Sequence, residues 1–400
     1  MSADFTARNR GRDELGSVSP TPGTKRRRKG WFIGLFIAIL IALIGSSLGI
    51  LLLSRHQSQN SSPENQILGH AFFVSSGQLS ESSSQGDNDE LQIEMKNVPD
   101  PAPGSSYYAW LLSDKNQRPT TAMFLGTLSI EHGAIHFRYP GDQQHSNLIA
   151  TTSRLLITEE SKNSVHRQPS SDQRTWRYYA ELPQDSSTGG AQHPTALSCL
   201  RSLLYEGADL HQLGIHGSPN IRLLRNTGKI LEWIYSARDN SKDPAFVRRQ
   251  ITRTLDYLDG TSVLVNPLLA QIPLIDLAPN QAHRSYPALI DAQLTCLMSS
   301  PGLTADVHGL ALQSKQALMG NVKPLFMQLH QMAKQLVLMT DEQLLQPSTL
   351  SLLDNMVALA NVAFVGRLDP STNEVQPGVV QIFYNIQRLA TYTILAIIHN

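Results

Sequence analysis

Apolar residues fall into three different patterns along this chain of 400 residues. From Trp31 to Leu53 they are continuous: WFIGLFIAILIALIGSSLGILLL holds no charge. At 1.5 Å per residue such a helix is about 35 Å long against about 30 Å of hydrocarbon. One membrane-spanning helix over residues 31–53 is the expectation.

Beyond a polar spacer the period becomes two. Gly69 to Val74, the alternating Leu91, Ile93 and Met95, Tyr107 to Leu112, Phe124 to Ile130, Ala134 to Tyr139, Leu155 to Thr158 and Trp176 to Leu182 all read as short strands. Glu131-His132-Gly133 is the bend of a hairpin, and residues 80–90 read as a polar loop. Strands this short and this regularly interrupted predict a small antiparallel β-sandwich over residues 68–183.

From residue 196 the period lengthens to that of a helix. Leu197, Leu200, Leu203 and Leu204 open one helix, Ile230, Trp233 and Ile234 mark another that Gly228 is expected to interrupt or begin, and Phe246 to Leu258 a third closed by Asp259-Gly260. Prolines 267, 273, 279 and 287 then divide the chain into short pieces. Four further stripes follow: Val307 to Leu318, Val322 to Val337, Leu353 to Ala363, and Ile382 to Ile397. They predict a helical bundle, with Gly366 to Pro377 as an exposed loop able to bind a partner. Val379 to Ile398 is too polar to be a second span, because Gln381, Asn385, Gln387 and Arg388 interrupt it.

The fold class expected is therefore α+β: one transmembrane helix, a small antiparallel β-sandwich and a C-terminal all-α domain. The segments are 1–30 (tail), 31–53 (span), 54–67 (linker), 68–183 (sandwich), 184–195 (linker) and 196–400 (helical domain).

Charge adds orientation. The 33 basic and 33 acidic residues cancel, so no global field favours nucleic acid. Locally, Lys25-Arg26-Arg27-Arg28-Lys29 precedes the apolar run and only Arg55 and His56 follow it closely. The positive-inside rule then keeps the N-terminus in the cytoplasm at the plasma membrane and places the C-terminal segments outside. A cleaved signal peptide is the competing reading, against which stand the length of the apolar run and the lack of a small-x-small site after it. The basic pentad also anchors the chain to anionic lipid. Within the span, Gly34, Ala38, Ala42 and Ser46 fall four apart, and Gly45 and Gly49 form a GxxxG. This is the pattern of a transmembrane homodimer, although such small residues are also ordinary in spanning helices.

The residues Val98-Pro-Asp-Pro-Ala-Pro-Gly104, Tyr107-Tyr-Ala-Trp-Leu-Leu112, Pro119, Leu125-Gly126, Gly133 and Leu156-Ile-Thr-Glu159 together resemble the extracytoplasmic domain of anti-sigma-K factors. The resemblance covers roughly residues 68–183. It implies a β-sandwich outside the membrane that acts as sensor or scaffold without catalysis. Those factors hold their sigma factor with a cytoplasmic helical domain, whereas residues 1–30, with Pro20 and Pro22, are too short for one.

Candidate chemistry is sparse. Gly45-Ser46-Ser47-Leu48-Gly49 matches the GxSxG nucleophile pattern, but it lies inside the apolar run and not at a strand-to-helix turn, so no catalytic residue is assigned. Thirteen histidines come without CxxCH, HExxH or CxxC. His308 and His330, on successive predicted helices, are weak metal or haem candidates if they converge in a bundle interior. His132, His136, His211 and His216 read as surface positions, and no cofactor is expected. Cys199 and Cys296 both lie on the oxidising side of this topology, so a disulfide is open to them, but their apolar helical contexts favour two packed free thiols. Asn60-Ser61-Ser62 is a sequon.

The function read from these features is a single-pass, membrane-anchored, extracytoplasmic sensor, scaffold or binding protein of the bacterial cell envelope. It has no catalytic activity, its partners are membrane lipid and envelope proteins, and anti-sigma-type regulation is a further option. The alternative is a membrane-tethered enzyme or metal/haem-binding protein with its site in residues 196–400.

Overall fold

The structure is a computed structural model that describes residues 67–80, 83–163, 167–185, 194–206, 210–211, 215–260, 272–276 and 284–398. The apolar run 31–53, Lys25 to Lys29, the spacer and the sequon lie outside the described residues.

Seven strands come first: β1 (Ile67–Val74), β2 (Glu90–Met95), β3 (Ser105–Leu112), β4 (Ala122–Leu128), β5 (Ile135–Tyr139), β6 (Arg154–Ser161) and β7 (Trp176–Glu181). Alternation does what it should: Leu91, Ile93 and Met95 are buried on one face of β2, and Ala71 and Phe73 on one face of β1. In place of the expected two-sheet sandwich, these strands join one antiparallel sheet in the order β4-β3-β6-β7-β10-β1-β2-β5. Its two edge strands are consecutive in sequence, and the sheet curls until they approach. Gly126 of β4 permits this: at φ 148°, a Cβ there would stand 3.0 Å from the Phe137 ring of β5.

The helices carry their own start signals. Thr195 caps α1 (Ala196–Leu204), Ser218 caps α2 (Pro219–Asp239) and Asp243 caps α3 (Pro244–Asp259), the last two followed by Pro at the first helical position, where its missing N–H costs nothing. Gly260, at φ 70°, ends α3. Gly228 neither begins nor breaks α2; it lies within it, where the Phe364 ring comes close. Next come α4 (Tyr286–Met298), α5 (Ala305–Gln316) and α6 (Lys323–Leu338). α5 and α6 are joined without a break through a π-helical turn, Ala317–Val322. Pro324, which has no N–H and crowds the carbonyl four residues back, accounts for the slip of the ladder. The short α7 (Asp341–Leu344) has a capping box at Thr340, and α8 (Pro347–Val365) follows.

Four helices do adjoin in a ring, but not the four expected: α2 packs against α3 and α8, and α6 against the same two. α8 is, among the described residues, the helix long and apolar enough to cross a membrane by length and composition. It buries Leu353, Met356, Ala360 and Ala363, and its Asp354 and Asn361 bond Arg238 and Tyr235 of α2.

Two expectations for the chain's end are corrected. Residues 366–377 are a hairpin, β8 (Gly366–Leu368) and β9 (Val375–Pro377), rather than an open loop. The helix expected over Val379 to Ile398 stops as α9 (Val379–Arg388), and Thr391–Ala396 is β10, so residues 196–400 are not all-α. β10 lies between β1 and β7, with His70 opposite Thr393 and Leu395 opposite Tyr179. Leu389, Ala390, Thr393 and Ile397 continue the helical stripe on paper, yet TYTILA is equally a period-two run of β-branched and aromatic residues. The open ladders of β1 and β7 on either side decide between the two. Tyr392 is fully buried with its ring edge-on to Phe73, 5.6 Å between centroids. One hydrophobic core thus runs from the inner face of the sheet into the helices.

Candidate functional site: a polar cleft between sheet and helix α1

The apolar stripe of α1 leaves Ser198, Arg201, Ser202 and Tyr205 on its other side, at the i, i+3, i+4, i+7 spacing of a single face. That face borders a cleft of about 650 Å3, closed on the sheet side by Asp114 and Asn116 from the turn after β3 and by Gln184 after β7. The volume is in the range of small-molecule sites.

The frame of the cleft is one charged pair. Arg201 donates from both terminal nitrogens to the two Asp114 oxygens, 2.7 Å each, and from Nε to the Ile149 carbonyl at 2.9 Å. Ser153 donates to Asp114 Oδ1 at 2.7 Å. Burial alone pushes the Asp114 carboxyl up; the hydrogen bonds from Arg201 and Ser153, with the charges of Arg201 and Arg154, outweigh it and hold the group below its ordinary value. A forked pair of this kind is rigid, so it fixes α1 to the sheet rather than offering a free charge.

One uncommitted group stands among committed ones around it. Gln184 Oε1 accepts from the Lys115 amide at 3.0 Å, while its buried Nε2 has no acceptor. Ser198 Oγ donates to the Thr195 carbonyl at 2.7 Å and not to a base, so nothing activates it as a nucleophile. At the far end Glu206 Oε1 lies 2.8 Å from His216 Nδ1, and the His211 and His216 rings meet edge to face. The cleft therefore offers one unpaired buried donor, Gln184 Nε2, to a hydrogen-bond acceptor.

A second polar assembly lies in the loop expected over residues 80–90, which is a loop but not a solvated one. Asp87, Asn88 and Asp89 are all but inaccessible, at 1%, 0% and 0% exposure. Ser218 and Ser75 donate to Asp87 at 2.8 and 3.1 Å, and burial pushes this carboxyl up to about 7. Asn88, at φ 54°, donates to the Leu204 carbonyl at the end of α1 and accepts from Gln387 of α9. Asp89 accepts from the Ser76 amide and lies 2.7 Å from His145 Nδ1. One tripeptide thus ties β1, α1, α2 and α9 together.

The sequence-expected residues fall elsewhere. His308 and His330 do not converge: His308 is exposed on α5, whereas His330 is buried on α6 with Nε2 2.8 Å from Asp259 Oδ2. Among the described residues no three His, Cys, Asp or Glu side chains gather as a metal-binding group. Cys199 on α1 and Cys296 on α4 are joined by a disulfide. His132, at φ 53°, lies in the β4–β5 turn, and His136 is on β5. In the 366–377 hairpin Arg367 donates to Gln376 across the pair. Of the cleft residues, Arg201 and its stripe were visible only as the polar side of an amphipathic helix, and Asp114 only as a turn residue; their meeting had no signal in local spacing.

No protein-family model matches the chain, and no curated protein or solved structure matches it either.

Proposed function

We propose that the chain is a membrane-anchored extracytoplasmic binding protein of the cell envelope, a sensor or scaffold without catalytic activity, whose cleft beside α1 takes a small neutral ligand. On this reading the apolar run 31–53 is the single span, the basic residues before it keep the N-terminus in the cytoplasm, and the sheet corresponds to the extracytoplasmic β-domain of the anti-sigma-K factors it resembles. The span's small residues then serve a homodimer, and envelope proteins are the partners.

The observation that carries the reading is the Gln184 Nε2 donor. An unpaired buried amide donor costs about 1–3 kcal/mol, a cost that a ligand acceptor in the cleft removes. The fixed Arg201–Asp114 pair keeps the cleft in shape without being consumed by the ligand.

Photo-crosslinking in native membranes from a probe at Asn116, followed by mass spectrometry, tests it. A defined envelope component attached at this position, lost in Gln184→Leu, is the expected result. Capture of lipid alone, or capture indifferent to Gln184→Leu, overturns it.

A further inference from the structure

The outer face of the sheet carries a second concavity, separate from the cleft. Here Tyr108, Trp110, Leu112 and Leu156 form a small apolar cluster of their own, with Ala122, Trp176, Tyr179 and Ile397 packed on it. The face is built rather than incidental. Trp110 Nε1 donates to Thr158 Oγ1 at 3.0 Å, Trp176 Nε1 to the Ser170 carbonyl at 2.9 Å, and the Ile397 amide to the Arg177 carbonyl at 2.8 Å. These bonds fix Trp110 beneath the face and hold the Trp176 ring and Ile397 around a groove of about 480 Å3.

At the end of the groove lies Arg154. Its Nε donates to the Ser113 carbonyl at 2.6 Å, and an Nη reaches the Asp114 carbonyl at 3.4 Å. The carboxylates of this corner are already matched, Asp114 by Arg201 and Glu181 by Lys115. Three cations stand against two carboxylates, and Arg154 is the one without an ion pair among the described residues: its guanidinium bonds the two carbonyls and the Tyr179 hydroxyl, and its charge reaches Asp114 only at longer range.

We propose that this groove binds a small monocarboxylate with an apolar body: the hydrocarbon lies on Leu112, Leu156 and Ile397 between Trp176 and Tyr179, and the carboxylate pairs with Arg154. A planar guanidinium with no direct ion pair is matched by a carboxylate in forked geometry, and the apolar floor contributes by removal of surface from water. The site goes beyond the reading of the cleft and does not depend on it.

The test uses the full chain in lipid nanodiscs, with empty nanodiscs as reference, and saturation-transfer NMR titrations of 3-phenylpropanoate, octanoate and the neutral 3-phenylpropan-1-ol. At least one acid is expected to bind saturably and more tightly than the alcohol. Arg154→Gln weakens the acid by about tenfold or more, as loss of a charge-assisted pair requires, and leaves the alcohol unchanged. Ile397→Trp, which fills the groove with Arg154 intact, abolishes both, so a folding defect of one variant does not decide the outcome. Tighter binding of phenylpropanoate assigns an aromatic ligand and of octanoate an aliphatic one. Equal affinity for acid and alcohol, insensitivity to both substitutions, or no binding beyond empty nanodiscs overturns the proposal.

Discussion

Ser218 donates its hydroxyl hydrogen to the buried Asp87 carboxylate at 2.8 Å while accepting from the Ile221 amide at 3.2 Å. One side chain therefore caps α2 and fastens the segment between β1 and β2 to it. The helix N-terminus and the sheet are ordered together, and the protonation of Asp87 bears on both.

That protonation gives stability a pH dependence. The Asp87 carboxyl, pushed up by burial, titrates at about 7 in the fold against 3.8 for the free group. Between those values the folded chain keeps a proton that the unfolded chain has lost, so this group's contribution falls as pH rises from about 4 to about 7. Asp87→Asn removes that fall. Thermal melts of the two proteins across this range are expected to show a difference that grows in favour of the variant toward pH 7, by a few kcal/mol at most; a constant difference excludes the linkage.

Asp256 on α3 makes the same point without a hydrogen bond. It is 4% exposed and neither carboxylate oxygen has a hydrogen-bond partner. Burial first, then the charge of Asp259, push it up to about 6, against the pull of Arg253. Asp256→Asn is expected to raise the unfolding free energy measured with urea at pH 7.5 by about 1–3 kcal/mol, and to have little effect near pH 4, where the carboxyl is protonated in the fold. An equal gain at both pH values means that charge burial is not its source.

The Cys199–Cys296 bridge spans 97 residues of sequence. On the chain-entropy account a loop of this size contributes about 4–5 kcal/mol by restricting the unfolded chain. Denaturant unfolding with and without reductant is expected to differ by an amount of this order, with thiol labelling to confirm reduction. Two labelled thiols in the untreated folded protein contradict the bridge.

The place of β10 is open to direct measurement. Amide exchange over residues 391–396 is expected to be as slow as in β1, because β1 pairs this segment from Thr391 to Leu395 and β7 pairs Leu395 and Ala396. Tyr392→Ala, which empties a fully buried position beside Phe73, is expected to cost about 3–5 kcal/mol. Fast exchange in this segment, or a cost below about 1 kcal/mol, is incompatible with a central strand.

Local pattern sufficed for much of this architecture. The alternation of Leu91, Ile93 and Met95, the aromatic run of Tyr107 to Leu112, and the Ser218-Pro219 and Asp243-Pro244 starts each place an element without help from afar. It sufficed less well for the cleft: the stripe Ser198, Arg201, Ser202 and Tyr205 reads as a solvent face until Asp114 is brought against it. The turn that carries Asp114 lies 87 residues from Arg201.

By itself, then, the sequence determined the elements whose cause is local: strands of period two, helices of period 3.6 with caps and terminal glycine, and a helix that ends at Gly260. The tertiary structure decided what depends on a distant partner. Thr391 to Ala396 is a strand because β1 and β7 leave a ladder open. Asp87 to Asp89, in the loop before β2, is an interior joint and not a solvent-facing turn because Ser218, Leu204 and Gln387 supply its hydrogen bonds. Arg201 frames a cleft, and does not merely face water, because Asp114 meets it. Each of these needs a partner supplied by another part of the chain, and hydrophobic periodicity along one segment carries no record of which distant group will complete it.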